Sequence, residues 1–187
     1  MTYSLSDTTY QNDAESGLVL RKVGDQLFKV GDYIYLYDTA VGQVLANKWS
    51  EEKLSDPKSC TDGPYYPLGG GREPGESSVD SALREAIEET AGKVSLYPKE
   101  LVFWDRFLIP SKHPFRFSES TPWMHGKECT VYVARASKAA IGEIKTVEKD
   151  GAVWKFDWYD AAVVFAHNNY LDLSAWRGFI SRVGWAQ

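Results

Sequence analysis

Apolar and polar residues alternate at a period of two over 18–23, 27–30, 33–37 and 44–49, the pattern of strands with one buried face. Gly24-Asp25 and Gly31-Asp32 read as turns between them. Aromatic and β-branched residues dominate 101–109, 129–136 and 153–159, which predicts three further strands. In the last of these Trp154, Phe156 and Trp158 share one face, a core stripe first and a ring platform second. Between the two groups the period lengthens. Val79, Ala82, Leu83, Ala86, Ile87 and Thr90 recur at helical spacing, with Ser77 as N-cap and Asp80 completing a pair resembling a capping box. A closing helix is expected over 174–183, capped by Asp172 or Ser174. Strands on both sides of a central helix, then a terminal helix, predict an α/β chain with a mixed sheet between helices. Residues 1–16 are polar and read as a flexible lead-in to a single domain over 17–187, and 50–64 read as a loop.

The outer face of the central helix departs from ordinary solvation. Glu85, Glu88 and Glu89 fall within an arc of roughly 100° at helical spacing. Like charges three and four apart repel and cost stability. The positions four residues on are Glu89, Gly92 and Lys93, so lysine support reaches Glu89 alone. A cation is therefore expected on this patch. Carboxylates suit hard dications such as Mg²⁺ and Mn²⁺, which share their coordination with substrate phosphates. Such an ion polarises a phosphoryl oxygen and acidifies bound water. Arg84, set among the acids, is placed to orient one of them. Upstream, Tyr65 to Leu68 read as a short strand, and Gly69-Gly70-Gly71-Arg72-Glu73-Pro74-Gly75 reads as a loop. Its backbone offers donors to phosphate and carbonyls to metal. Arg72 either reaches a phosphate or pairs with Glu73 or Glu76.

Gly70, Glu76, Arg84, Glu85, Glu88 and Glu89 stand at spacings that resemble the Nudix box, Gly-x5-Glu-x7-Arg-Glu-x2-Glu-Glu. The chain departs at the end of the pattern: Ala91 stands where glycine is expected and Gly92 where a bulky aliphatic is. This reads as a helix stop displaced by one residue, with Gly92 as the C′ glycine. The resemblance implies a Nudix-like α/β/α sandwich with a mixed β-sheet between helices. It also implies a Mg²⁺-dependent hydrolase, with Mn²⁺ as a substitute, that cleaves a phosphoanhydride bond in a nucleoside diphosphate linked to another moiety (a nucleotide sugar, a dinucleotide or an NTP). Carried over by position, Glu88 and Glu89 are the principal metal ligands, and Glu85 is a further ligand or the base that activates water. Arg84 then orients Glu85, Glu76 is a supporting acid or ligand, and the Gly69 carbonyl is a ligand. A late-loop acid would come from Glu143, Glu148 or Asp150. The rival is a non-catalytic nucleotide-sensing or interaction module with the same fold. Retention of all four box carboxylates favours the enzyme.

Composition narrows the setting. At 187 residues with 43% hydrophobic content, the chain can bury one sizeable core. A formal charge of −5 argues against general nucleic-acid binding, although not against a small phosphorylated nucleotide. Two cysteines, Cys60 and Cys129, make no disulfide framework, which points to a reducing cytoplasm. No apolar run has membrane-spanning length, and the strand region 18–30 is a candidate homodimer surface. Residues 111–127 form an expected long connection, and loops of this length are usually functional or disordered. Lys112, His113, Arg116 and Lys127 there would meet phosphates or a ribose. Phe115, Phe117 and Trp123 would either stack on a base, worth about 1–3 kcal/mol, or fold the loop onto the body. His113, His125 and His167 lack zinc-ligand spacing.

Overall fold

The computed structural model describes residues 8–55, 62–116, 118–147 and 153–185. Among the described residues ten strands form one sheet: β1 (Thr8–Asp13), β2 (Leu18–Val23), β3 (Gln26–Asp38), β4 (Gln43–Lys48), β5 (Tyr65–Tyr66), β6 (Leu68–Gly71), β7 (Val102–Phe115), β8 (Met124–Arg135), β9 (Ile144–Val147) and β10 (Val153–Asp160). The helices are α1 (Glu51–Ser55), α2 (Ser78–Glu89), α3 (Lys138–Ile141), α4 (Ala161–Ala166) and α5 (Leu173–Arg182). β3 is the hub, antiparallel to β2, β4 and β6 and parallel to β8. α2 covers one face, where Ala82 and Ala86 pack on Ile34, Leu36, Leu45 and Phe156. α4 and α5 cover the other, where Phe165, Trp176 and Phe179 pack on Tyr35, Tyr37 and Trp104. This is an α/β/α sandwich with a mixed sheet. Among the described residues no helix is long and apolar enough to cross a membrane.

The structure corrects the sequence reading at several elements. Thr8–Asp13, placed in the lead-in, is a strand paired along its whole length with β2. Gly31-Asp32 is not a turn, because β3 runs straight through it. Asp32 is fully buried, and it is held there by partners on other elements. Gly69–Gly71 is not a loop but strand β6, in register with Tyr33, Asp32 and Gly31. The glycines serve close approach rather than turning: a Cβ at Gly69 would lie 2.6 Å from the Tyr33 ring, and one at Gly70 would strike the Glu85 carboxylate. The expected connection over 111–127 is largely hairpin, since β7 continues to Phe115 and β8 starts at Met124. Pro110 and Pro114 mimic strand breaks, and the ladder absorbs them with a register shift between Pro110 and Phe115. Within 50–64, Glu51–Ser55 is helical. On α2, Ile87 is exposed at 46% while Ser81 and Glu89 take the buried positions.

The end of α2 also differs from expectation. Thr90 is the C-cap, the Ala91 N–H donates to the Glu88 carbonyl, and the Gly92 N–H donates to the Ile87 carbonyl. This is a Schellman arrangement with Ala91, not Gly92, at C′. Ala91 sits at φ +50°, the one positive-φ residue other than glycine among the described residues. The stop is therefore not displaced. An alanine occupies the left-handed position that the pattern assigns to glycine.

Candidate active site at the glycine strand and helix α2

The site forms where β6 runs antiparallel to β3 and α2 returns across it. The Ser77 side chain accepts from the Asp80 N–H, so the helix starts as the sequence predicts. Asp32 accepts from Arg72 Nε at 2.8 Å and Nη2 at 2.7 Å, and from the Ser78 hydroxyl at 2.5 Å. Tyr132 in turn donates to Ser78 at 2.9 Å. One buried carboxylate thus ties the sheet to the end of the glycine strand and to the first turn of α2. Arg72 pairs with neither Glu73 nor Glu76, and its guanidinium is committed to this internal bond. No sequence pattern marked Asp32 because its GD dipeptide reads as a turn. The usable signal was a single acid inside a long apolar strand.

Arg84 gathers the acids. Its Nε donates to Glu76 Oε1 at 2.7 Å and its Nη2 to Glu76 Oε2 at 3.1 Å. Nη1 donates to Glu85 Oε1 at 2.9 Å and to Glu88 Oε2 at 3.0 Å, and Nη2 also reaches the Gly71 carbonyl at 2.9 Å. Glu89 is buried and accepts the Gly69 N–H at 2.7 Å. Arg84 therefore brings Glu76, Glu85 and Glu88 together, while Glu89 is held separately on the backbone of the glycine strand. The bonds to Arg84, that with Glu76 foremost, raise its already high pKa. Glu76 is lowered, chiefly by its hydrogen bonds from Arg84. Glu85 is raised instead, because burial outweighs the pull of Arg84 and Lys29. Both ends of the Arg84–Glu85 pair are raised, the guanidinium by its bonds to carboxylates and the carboxyl by burial, which exceeds the pull of its partner.

The other predicted residues separate. Lys127 is buried on β8 and donates to the Tyr66 hydroxyl at 2.6 Å. Phe115 is packed into the core beneath α4 and α5. Arg116 stacks 4.9 Å over the Trp123 ring and, with His113, lines a hollow at the hairpin end away from the residues around Arg84. Glu143 is exposed 3.9 Å from Lys155, while Glu148, Asp150 and Phe117 lie outside the described residues. His125 accepts from the Leu27 N–H within the sheet. Phe156 and Trp158 are core residues, the Trp158 indole donating to the Gly142 carbonyl.

The sequence matches no protein-family model and no curated protein. Among solved structures, the E. coli dihydroneopterin triphosphate pyrophosphohydrolase superposes with a TM-score of 0.53 at 17% identity, over 83% of this chain and 98% of that one. The chain has the Nudix fold. The C. elegans Ap4A hydrolase is similar at a TM-score of 0.48 and 14% identity, over 83% of this chain and 98% of that one. A MutT/nudix family protein from Enterococcus faecalis aligns at 0.43 and 19% identity over 71% of this chain, which spans 43% of that protein's length. Within this fold, the residues at the box spacing lie on β6, on α2 and, for Glu76, in the turn between them.

Their fit to a dication can be tested on the side chains. Among the described residues no group of three or more His, Cys, Asp or Glu is arranged around a common point. Arg84 is the physical reason, since it draws Glu76, Glu85 and Glu88 onto itself. The donor chemistry nonetheless suits Mg²⁺ or Mn²⁺: carboxylate oxygens and the Gly69 carbonyl on adjoining elements. Gly70 leaves room for the Glu85 carboxylate where any Cβ would clash. Glu88 is 60% exposed and can turn toward an incoming ion.

Proposed function

We propose that this Nudix-fold protein is a divalent-metal-dependent hydrolase that cleaves a phosphoanhydride bond in a nucleoside diphosphate linked to another moiety. The observation that carries the reading is the gathering of Glu76, Glu85 and Glu88 on Arg84, with Glu89 bonded to the Gly69 N–H and the partly buried Glu85 carboxylate against Gly70, which has no side chain. Glu85, Glu88, Glu89 and the Gly69 carbonyl would hold Mg²⁺ or Mn²⁺, with Glu76 supporting them. When bound, the dication polarises a phosphoryl oxygen and acidifies a water.

The protein's own groups prepare the rest. Burial raises the Glu85 carboxylate's affinity for a proton, which suits it to accept one from the attacking water. Arg84 holds Glu85 in place through Oε1 and fixes Glu76, so the acids do not scatter into solvent. Glu89 holds the Gly69 N–H and so fixes the Leu68–Gly69 peptide that precedes the candidate carbonyl ligand. The E. coli protein named above is a dihydroneopterin triphosphate pyrophosphohydrolase, and cleavage of a phosphoanhydride is compatible with this chemistry.

A second reading, a nucleotide sensor without turnover, draws on one observation: Arg84 already neutralises three of the acids. Incubation with a panel of nucleotide sugars, dinucleotides and NTPs, with Mg²⁺ or Mn²⁺, separates the two. Metal-dependent phosphate or nucleotide release supports the hydrolase. A ligand that raises the melting temperature without being consumed supports the sensor.

A further inference from the structure

Packing alone gives position 32 no reason to be acidic. On the same face of β3, Val30, Ile34 and Leu36 are apolar and fully buried, and Asp32 stands among them with no exposure at all. A buried ionic network is often no more stable than apolar side chains of the same volume. What the carboxylate adds is direction. Its register partner is Gly70, the residue whose missing Cβ leaves space for the Glu85 carboxylate. Its hydrogen-bond partners, Arg72 and Ser78, lie on either side of the turn that joins β6 to α2.

The bonds run in one sense. A serine hydroxyl carries a single proton. Ser78 gives it to Asp32 and accepts from Tyr132 of β8, which is itself buried. Tyr132 therefore aims Ser78, and Ser78 and Arg72 converge on one carboxylate. Ser78 and Glu85 stand seven residues apart, two turns of one helix, so they share a side of α2. One turn further on, Glu89 accepts the Gly69 N–H. The helix is thus tied to the sheet at its first turn through Asp32 and at its last through Glu89, with Glu85 between the two ties.

We propose that Asp32 is a positioning residue for the candidate site: acting through Ser78 and Arg72, it sets how far α2 stands from the glycine strand, and so how the helix acids face Gly69. The assignment rests on the reading above only in taking these acids to hold a dication. A displacement of about 1 Å can cost about 10²-fold in rate, so such a brace acts on function well before it acts on folding.

The test uses Ser78→Ala, which leaves the Asp32–Arg72 pair in place, and Ser78→Thr, which keeps the hydroxyl. In EDTA, hydrogen exchange at the Gly69 N–H is expected to be about tenfold faster in Ser78→Ala, the loss of a hydrogen bond to a charged group. Amides of the β4–β10 ladder should keep their wild-type rates. Calorimetric titration of Mn²⁺ alone is expected to show binding weakened about tenfold, and Ser78→Thr should restore both readings. A melting scan establishes that each variant is folded. If Ser78→Ala is not, Tyr132→Phe, which removes only the hydroxyl that aims Ser78, decides in its place. Exchange that rises equally at Gly69 and along β4–β10 overturns the proposal, since it reports overall stability alone. Unchanged Mn²⁺ affinity in folded Ser78→Ala, where the wild type binds the ion, also overturns it. Faster exchange confined to Gly69 in a protein that binds no Mn²⁺ leaves Asp32 positioning these acids and removes the hydrolase reading. Mn²⁺-dependent hydrolysis with wild-type Gly69 exchange in Ser78→Ala does the reverse.

Discussion

Glu85 and Glu76 share one arginine and titrate in opposite directions. Burial raises Glu85, so folding favours its protonated form. Its contribution to stability is greatest below the unfolded carboxylate value of about 4.3 and is lost as pH climbs through the higher folded value. Glu76 is lowered, so its contribution is present above that same range and is lost as pH falls through the lower folded value. Glu85→Gln is therefore expected to raise the melting temperature in metal-free buffer at neutral pH and, with Mg²⁺ supplied, to reduce turnover about 10²-fold. Glu76→Gln is expected to cost about 2 kcal/mol at neutral pH, the worth of a charged hydrogen-bond pair, with the gap to wild type closing in acid. Thermal melts from neutral pH into acid check both. Glu88→Gln and Glu89→Gln should each lower kcat about 10²-fold or more with the fold retained. Ordinary turnover in either, with Mg²⁺ supplied, would remove them from the site. These acids were legible from spacing alone. Their common partner was legible only in part, because a spacing shows that Arg84 is near acids and not that it takes three at once.

At the scale of elements, α2 was the most readable segment, since its cap, period and acidic face all agree. Its end was misread because a glycine in the vicinity was assumed to be the stop. The Ala91 conformation gives a direct test. Ala91→Gly removes the clash of Cβ in the left-handed region and is expected to stabilise by about 1 kcal/mol. For a chain of this size that is a rise in Tm of about 2–4 °C. No change in Tm would mean that Ala91 is not left-handed in solution. The glycine strand failed for a related reason. Glycine permits turning and also permits intimacy, and composition does not distinguish the two. Only the register of Gly69–Gly71 against Tyr33, Asp32 and Gly31 shows which one the chain uses. The prolines of β7 misled in the same manner, because the ladder accommodates them by an irregularity that leaves no mark in periodicity.

Over the whole molecule, the class of fold was readable from the order of strand and helix periods, whereas the pairing partners were not. β3 and β8 are about a hundred positions apart in sequence, and nothing local in either segment announces the match. Asp32 is the point at which this long-range order reaches the site. Asp32→Ala would leave Arg72 charged and largely enclosed, a loss expected to cost about 3 kcal/mol or more. Replacing both partners by apolar residues should recover part of it, and chemical denaturation of the single and double variants measures the coupling. Equal stability of Asp32→Ala and wild type would show that the bond is incidental.

The long hub strand has one more consequence. Because successive residues of Gln26–Asp38 look to opposite sides, its odd and even positions serve two different tasks, Tyr33, Tyr35 and Tyr37 in the core with α4 and α5 on one surface and Ile34 and Leu36 in the core with α2 on the other. Loss of a single amino acid near Gly31 would therefore exchange the two surfaces for every position on one side of the gap. Point changes can retune one surface alone, but a shift in frame along this strand dismantles both together.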